Sequence, residues 1–298
     1  MTSPARGAMH PVVEPQTRFA DLGGDKVAYQ VLGTGPDLAF VTGTTSHVDL
    51  RWEEPLHARF LRRLASFSRL IPFDPRGTGA SDPVAADQPL TWEDEAEDLR
   101  AVLDAVESQR AAVFASADAG PLAMIFAATH PERVSALVLA NTTARFVASD
   151  DYPFAMSAAQ VEDMMRRLGE LWGTEDAAAL AAPSKADDPE FRRWYARYQR
   201  AAARPRELSS YLPMAFTLDA RSLLPSIRCP TLVLHRSADP FVGIEHGRYL
   251  ARHIPGGRFV ELPGADLLLP TEHADRILDV VEEFLTGSVT PPEIDRVL

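Results

Sequence analysis

Three polar side chains follow apolar runs that are typical of buried strands, and they are the first candidates for chemistry. Ser116 and Asp118 come directly after the apolar run 111–115, and Asp239 follows shortly after the run 230–235. Hydroxyl and carboxylate oxygens can act as nucleophiles, and a carboxylate can also carry a proton. Such side chains act together only where the fold brings them to one place, so the elements around them decide which chemistry is open.

Two glycine-containing loops could also serve a ligand. The first, Gly33-Thr34-Gly35, is similar to the start of a dinucleotide-binding loop, but an apolar strand follows it. A phosphate cradle must open a helix, because the free N–H groups of the helix face the anion. A dinucleotide site is therefore disfavoured. The second loop, Asp74 to Ser81, follows an apolar strand, and a structural role at the carboxyl edge of a sheet is favoured over a catalytic one.

Composition and charge exclude several classes of protein. The 298 residues are 46% hydrophobic, which is enough for a sizeable core. The net charge is −12 and the sequence has no basic stripe, so nucleic acid is a poor candidate partner. No signal-peptide run and no apolar run of about 18 to 20 residues is present, which predicts a cytoplasmic protein without membrane contact. The single cysteine, Cys229, excludes an intrachain disulfide and a Cys-rich zinc site, and we expect no metal and no cofactor.

The order of apolar runs predicts an α/β fold with one inserted helical block. Short apolar runs, such as a strand predicted at 134–140, alternate with helical patterns, such as a helix predicted at 120–129, up to about residue 141. This alternation indicates a mostly parallel sheet with helices on both faces. A helical pattern then replaces the alternation, with helices predicted at 160–172, 190–202 and 205–214. Strands, including one predicted at 258–262, and a closing helix follow. The predicted organisation is a loose N-terminal arm at 1–16, a core formed by 17–141 and 220–288, a helical cap at 142–219 and a tail at 289–298.

Several of these segments resemble the α/β-hydrolase superfamily over about residues 18–286. They are the Asp-x-Arg-Gly-x-Gly-x-Ser loop at 74–81, the strand, turn and helix at 111–129, the His-Pro-Glu-Arg motif at 130–133, the run 230–234 before Asp239, and the segment 261–266. The resemblance implies an α/β-hydrolase fold, with a mostly parallel sheet, helices on both faces and an inserted helical cap. Function still depends on the residues of the site.

In this family the nucleophile stands on a sharp elbow between a strand and a helix, with small residues on both sides. The family spacing to the His-Pro-Glu-Arg proline, fourteen residues to Pro131 in this chain, places that position at Ala117. A methyl group cannot attack a carbonyl. Asp118 would be the nucleophile if the chain followed the haloalkane dehalogenases, which this stretch also resembles, with Ser116 and Gly120 as small neighbours. Ser116 itself points the wrong way in either alignment.

The general base of the family is missing as well. The family's histidine follows the last strand, often in an Ala-Asp-His run, and this chain has Leu267 at the histidine position. Leucine can neither accept nor donate a proton. His273 follows six residues later, where a surface or capping histidine is favoured over a replacement base. Asp239 keeps the position of the family's acid, and without an imidazole to orient it would be a turn acid, a binding carboxylate or a new base.

The resemblance implies that the backbone N–H groups of an oxyanion hole are retained. Thr44 would supply one backbone N–H of an oxyanion hole, and Asp118 would supply the other at the start of the helix after the elbow. Two such amides can polarise a carbonyl and stabilise an enolate. The proton carrier would be Asp118, His47 or the substrate itself, and a structural contact within its loop explains His47 equally well.

The cap is expected to cover the site with apolar and aromatic side chains. Most of them would belong to the core, and a minority facing the sheet edge would bind a hydrophobic substrate. Ala117 and Leu267 would extend the apolar floor of that pocket. The cap residues predicted to contact the substrate are Met165, Trp172, Trp194 and Tyr198.

Three functions are compatible with these residues. The first is a non-hydrolytic enzyme of specialised metabolism that catalyses epimerisation, isomerisation or elimination next to a carbonyl of a peptide or polyketide-like substrate. The chain resembles in this respect the peptide aspartate epimerase of the bottromycin pathway, an atypical α/β-hydrolase-like protein that also lacks the serine and histidine. The second is a catalytically inactive hydrolase-fold protein that binds a small molecule or peptide. The third is a hydrolase or dehalogenase that uses Asp118 as its nucleophile.

Overall fold

The computed structural model describes residues 15–84 and 91–289 of the chain. The predicted N-terminal arm and C-terminal tail therefore lie almost entirely outside the described residues. The strands in the described part are β1 (Arg18–Leu22), β2 (Asp25–Tyr29), β3 (Asp37–Val41), β4 (Arg69–Pro72), β5 (Ala111–Ser116), β6 (Val134–Ala140), β7 (Thr231–Arg236) and β8 (Arg258–Leu262). The α-helices are α1 (Pro55–Ala65), α2 (Trp92–Ala105), α3 (Gly120–Thr129), α4 (Ala158–Leu171), α5 (Ala177–Ala181), α6 (Pro189–Ala202), α7 (Pro205–Thr217), α8 (Ile244–His253) and α9 (Ala274–Thr286).

Six strands form one parallel sheet in the order β4-β3-β5-β6-β7-β8. Every residue of β5 and β7 is buried, because helices cover both faces of the sheet. The strands β1 and β2 form an antiparallel hairpin, and the chain after β2 runs antiparallel to β4, where the N–H of Gln30 donates to the carbonyl of Pro72 at 3.0 Å. The predicted α/β architecture with a mostly parallel sheet is confirmed.

Two separate cores lie on the two faces of the sheet. Within β5, Ala112 and Phe114 belong to one core while Val113 and Ala115 belong to the other, because successive side chains of a strand point to opposite faces. Helices α1 and α9 cover the first face, and α2, α3 and α8 cover the second. This close packing holds the carboxyl ends of the central strands, where the polar candidates lie, in a fixed arrangement.

The helical insertion lies between β6 and β7. The helices predicted at 160–172, 190–202 and 205–214 correspond to α4, α6 and α7, whereas α5 and the core helix α8 were not predicted. The prediction of helix throughout 142–219 is wrong for residues 142–157, which form short bridges instead. Adjacent aspartates at 150 and 151 and the following Pro153 disfavour a helix there. Within the described residues, no helix is both long and apolar enough to cross a membrane.

Candidate functional site

The connection from β5 to α3 is a strained turn with Ala117 at its tip. Ala117 has φ 52°, in the left-handed region that a residue with a Cβ enters at a cost of about 1 kcal/mol. Its carbonyl accepts a hydrogen bond from the Thr142 hydroxyl at 2.5 Å, and a Cβ on Gly120 would lie 2.0 Å from that same hydroxyl oxygen. The close approach of Thr142 thus requires glycine at the start of α3. The turn has the conformation expected of an elbow, and it presents a methyl group.

The Asp118 carboxylate accepts a hydrogen bond from the backbone N–H of Thr44, which was predicted to be free for a substrate. Its Oδ2 accepts the N–H of Thr44 at 2.9 Å, and the Thr44 hydroxyl donates to the same oxygen. Gly43, with φ 63°, permits this contact, because a Cβ there would lie 2.3 Å from Oδ1 of Asp118. The expectation that Thr44 and Asp118 supply two free oxyanion donors is corrected on this point: the N–H of Thr44 is bound to a carboxylate of the protein itself.

Asp239 lies after β7 and is buried. Its Oδ1 accepts the N–H groups of Phe241 at 2.8 Å and Val242 at 3.1 Å, whereas its Oδ2 has no hydrogen-bond partner among the described residues. Burial raises the pKa of Asp239 to about 6, against the lowering effect of those two N–H groups. The contacts are those of a turn acid, and Asp239 lines neither of the two cavities described below.

A cavity of about 130 Å³, the apolar chamber, lies between the elbow and the cap. Ala117, Asp118 and Leu267 belong to its wall on the core side, and the N–H of Leu267 donates to the carbonyl of Ala181 in α5 at 2.9 Å. Helices α4, α6 and α7 contribute most of the opposite wall. The aromatic and methionine side chains of the chamber are Phe146, Met156, Met164, Trp172, Tyr195, Tyr211, Phe216 and Phe241.

A second cavity of about 90 Å³, the polar chamber, adjoins the first at the elbow. Arg51, which is 2% exposed, lies in its wall together with Ser116 and Tyr198. The Nη2 of Arg51 donates to the Ser46 hydroxyl at 2.8 Å, while its Nε and Nη1 have no hydrogen-bond partner among the described residues. The chambers have in common the wall residues Thr45, Ala117, Asp118, Tyr195 and Leu267.

His57 is the imidazole that shares the polar chamber with Asp118. Its Nδ1 lies 3.0 Å from Oε2 of Glu54, and the same oxygen caps α1 by accepting the N–H of His57 at 2.8 Å. Burial lowers the pKa of His57 below its usual value, and the Glu54 carboxylate opposes this effect only in part. The ring is therefore neutral at pH 7. It packs against Trp194 with 4.7 Å between ring centroids.

Two further buried groups lie near Asp118. Tyr211 lines the apolar chamber, and its hydroxyl has no hydrogen-bond partner within the described chain. Burial raises the pKa of Tyr211 well above its usual value, with added repulsion from the Asp118 and Glu95 carboxylates. Burial likewise raises the pKa of Glu95, so this acid is held protonated over a wider pH range than an exposed glutamate. The resulting environment disfavours additional negative charge.

The predicted site residues divide between these chambers and other places. Trp172 lines the apolar chamber and Tyr198 the polar chamber. Trp194, Met165 and His47 line neither. The Nε1 of Trp194 donates to the carbonyl of Leu50 at 3.1 Å, Met165 packs at the edge of the core while its neighbour Met164 faces the apolar chamber, and Nδ1 of His47 accepts the N–H of Leu50 at 3.5 Å.

Arg51 and His57 were missed by the sequence analysis because they lie outside every recognised motif. One signal was available for His57. It occurs at helical spacing with Phe60, Leu61 and Leu64, all of which are buried, so the pattern predicts an imidazole on the inner face of α1. No comparable pattern marks Arg51.

Comparisons with known proteins agree with this fold. The model of the family described as the alpha/beta hydrolase fold matches residues 45–271.

Individual relatives belong to the same family. The pimeloyl-(acyl-carrier protein) methyl ester esterase of Chromobacterium violaceum is 30% identical over 86% of this chain and 96% of its own length. The 3-oxoadipate enol-lactonase 1 of Acinetobacter baylyi is 25% identical over 74% and 80% of the two chains. The crystal structure of a hydrolase from Pseudomonas aeruginosa superposes with a TM-score of 0.74 and 26% identity, covering 91% of this chain and 98% of the other. The chain belongs to the α/β-hydrolase-fold family.

Proposed function

We propose that this chain binds an apolar small molecule in the apolar chamber and does not carry out serine-type acyl transfer. The observation that carries the proposal is the strained elbow at Ala117, which has the backbone conformation of a nucleophile position and no nucleophilic atom. Leu267 lines the same chamber and is equally unable to transfer a proton. The two side chains add apolar surface to the core-side wall of the chamber, beside the Asp118 carboxylate.

A non-hydrolytic reaction next to a carbonyl has less support. That hypothesis needs a free N–H at Thr44 to stabilise an enolate, and this donor is bound to the Asp118 carboxylate. An enolate would also develop negative charge beside Asp118, which costs energy in a buried site. Epimerisation, isomerisation and elimination therefore stay hypotheses drawn from the sequence resemblance.

A hydrolase that uses Asp118 is the second candidate function. Asp118 lies in the wall of both chambers, and the names of the relatives are those of an esterase and an enol-lactonase. The bond from Thr44 would hold one carboxylate oxygen in place while the other attacks. Against this candidate, Leu267 offers no imidazole to activate water, and the imidazole in the same chamber as Asp118, His57, is paired with Glu54.

Binding is tested with n-propylbenzene as the probe, by ligand-observed NMR on the full chain. We expect the wild type to bind it, and we expect Leu180→Trp to weaken binding at least tenfold, because Leu180 lines the apolar chamber. Ala179→Trp is the matched control, since Ala179 is the exposed neighbour in the same helix. Failure of the wild type to bind, or equal binding by the two variants, would contradict the proposed function.

The second candidate is tested by turnover of p-nitrophenyl butyrate. We expect no turnover above the rate in buffer. Turnover that Asp118→Asn abolishes, together with mass-spectrometric detection of an ester on Asp118, would replace the proposed function with an Asp118-dependent hydrolase.

A further inference from the structure

We propose that the ligand of the apolar chamber carries an anionic head group, and that this head group lies in a third cavity, the mouth, at the start of α7. The mouth has a volume of about 250 Å³ and lies between residues 203–214 and the loop that follows β4. The inference rests on the proposed function and adds a chemical class to it: single-chain amphiphiles with an apolar body and one negative charge.

The mouth adjoins the apolar chamber. Thr44 and Tyr211 line both cavities, so the two cavities lie side by side at these residues. A ligand that extends beyond the apolar chamber on this side therefore reaches the mouth. Polar groups become more frequent there, because Thr78 and Ser210 line the mouth and not the chamber.

Positive charge exceeds negative charge among the side chains that line the mouth. Of the three arginines in its wall, Arg76 is already bound, since its Nε donates to Oδ1 of Asp98 at 2.6 Å. Arg204 is 77% exposed, and its Nη1 lies 3.8 Å from Oε1 of Glu207, the one acid that lines the mouth within the described chain. Arg206 is exposed, and its side chain has no hydrogen-bond or ion-pair partner among the described residues. Arg204 and Arg206 therefore leave one positive charge to be balanced by a ligand.

The charges in the two cavities also decide the direction of the ligand. The Asp118 carboxylate lies in the wall of the apolar chamber and does not line the mouth. An anionic head group inside the chamber would be buried beside a second anion, which costs energy at low dielectric. At the mouth the same group stays partly hydrated and meets Arg206. The apolar end would therefore enter the chamber, while the anion stays at the mouth.

Three probes with the same octyl chain test this selectivity: octyl sulfate, 1-octanol and octyltrimethylammonium. Each is titrated into the full chain at pH 7.5, below the concentration at which it forms micelles, and binding is measured by ligand-observed NMR. An exposed ion pair contributes up to about 1 kcal/mol, which corresponds to about fivefold in affinity. We expect octyl sulfate to bind about fivefold more tightly than 1-octanol, and octyltrimethylammonium to bind more weakly than both.

Two substitutions of Arg206 separate a contact at the mouth from a general effect of charge. We expect Arg206→Gln to remove the advantage of octyl sulfate while the binding of 1-octanol stays within about twofold, because Arg206 does not line the apolar chamber. Arg206→Glu should invert the order, so that octyltrimethylammonium binds more tightly than octyl sulfate. Arg193→Gln is the matched control, since Arg193 is an exposed arginine of the cap that does not line the mouth.

The outcomes distinguish the inference from the proposed function. If 1-octanol binds and Leu180→Trp weakens it, the proposed function stands whatever the charge preference. Equal binding of the three probes, tighter binding of the cation by the wild type, or equal effects of Arg206→Gln and Arg193→Gln would overturn the inference alone. If none of the three probes binds, both are overturned.

Discussion

Two buried carboxylates at the same edge of the sheet have opposite surroundings. Asp74 follows β4, and both of its oxygens are bonded: Oδ1 accepts the Ser46 hydroxyl at 2.6 Å, and Oδ2 accepts the N–H groups of Val48 at 3.0 Å and Ala80 at 2.9 Å. Asp239 follows β7, and only one of its oxygens is bonded. Both side chains are at least nine-tenths buried, so the difference lies in the donors around them.

The contrast is between a loop whose acid is hydrogen-bonded through both oxygens and a loop whose acid is hydrogen-bonded through one. The Asp74 loop is closed around its acid, and a Cβ on Gly79 would lie 2.1 Å from Oδ2 of Asp74. The loop at Asp239 retains an acid whose second oxygen has no donor, and the ionised form is therefore costly. The two acids therefore differ in the donors around them, although both follow strands of the same sheet.

Removing the charge of Asp74 should give the largest effect. We expect Asp74→Asn to lower the free energy of unfolding by about 4 kcal/mol, because it leaves Arg51 without its buried partner and replaces an acceptor with a donor facing other donors. Urea denaturation measures the change, and Asp150→Asn, at an exposed position, is the control with an expected change within about 0.5 kcal/mol. A loss smaller than about 1 kcal/mol for Asp74→Asn would show that the loop does not depend on its acid.

Asp239→Asn should have a smaller effect that depends on pH. The pKa of Asp239 in the folded chain is about 6, above its unfolded value near 4, so ionisation costs stability as the pH rises through this window. Asparagine does not titrate. We therefore expect the stability of Asp239→Asn relative to the wild type to rise by about 3 kcal/mol between pH 4 and pH 8.

The buried acid Asp98, whose pKa burial also raises to about 6, is present in both proteins and cancels from this difference. Denaturation of the two proteins at matched pH values measures the relative stability. A difference that stays constant between pH 4 and pH 8 would contradict the contrast with Asp74.

Leu267→His should have the smallest effect, and it tests whether Leu267 occupies the histidine position of the family. An imidazole at that position would donate to Oδ2 of Asp239 and lower the pKa of this acid. We expect a gain of about 1 kcal/mol at pH 8 that diminishes towards pH 4, where Asp239 is protonated. Leu268→His is the control, because the adjacent position faces the polar chamber. Equal effects of the two substitutions would show that Leu267 does not face Asp239.

Most of the sheet could be predicted because its strands are apolar runs with helices between them. The bounds of β6, β8 and α3 agree with the prediction to the residue. The short helix α5 was missed, since its run of alanines has no polar face to mark a period. Residues 142–157 were assigned to helix because they adjoin helices, although their turn-forming residues favour bridges.

The sequence by itself determined which side chains are present where the resemblance to the family would place its reactive groups: a methyl at Ala117 and an isobutyl group at Leu267. Only the tertiary structure decided that Asp118 binds the N–H of Thr44, that Arg51 is buried with unpartnered donors, and that two chambers meet at the elbow. The physical reason is that side-chain identity is local, whereas a hydrogen bond between residues 74 positions apart depends on how the whole sheet places its loops.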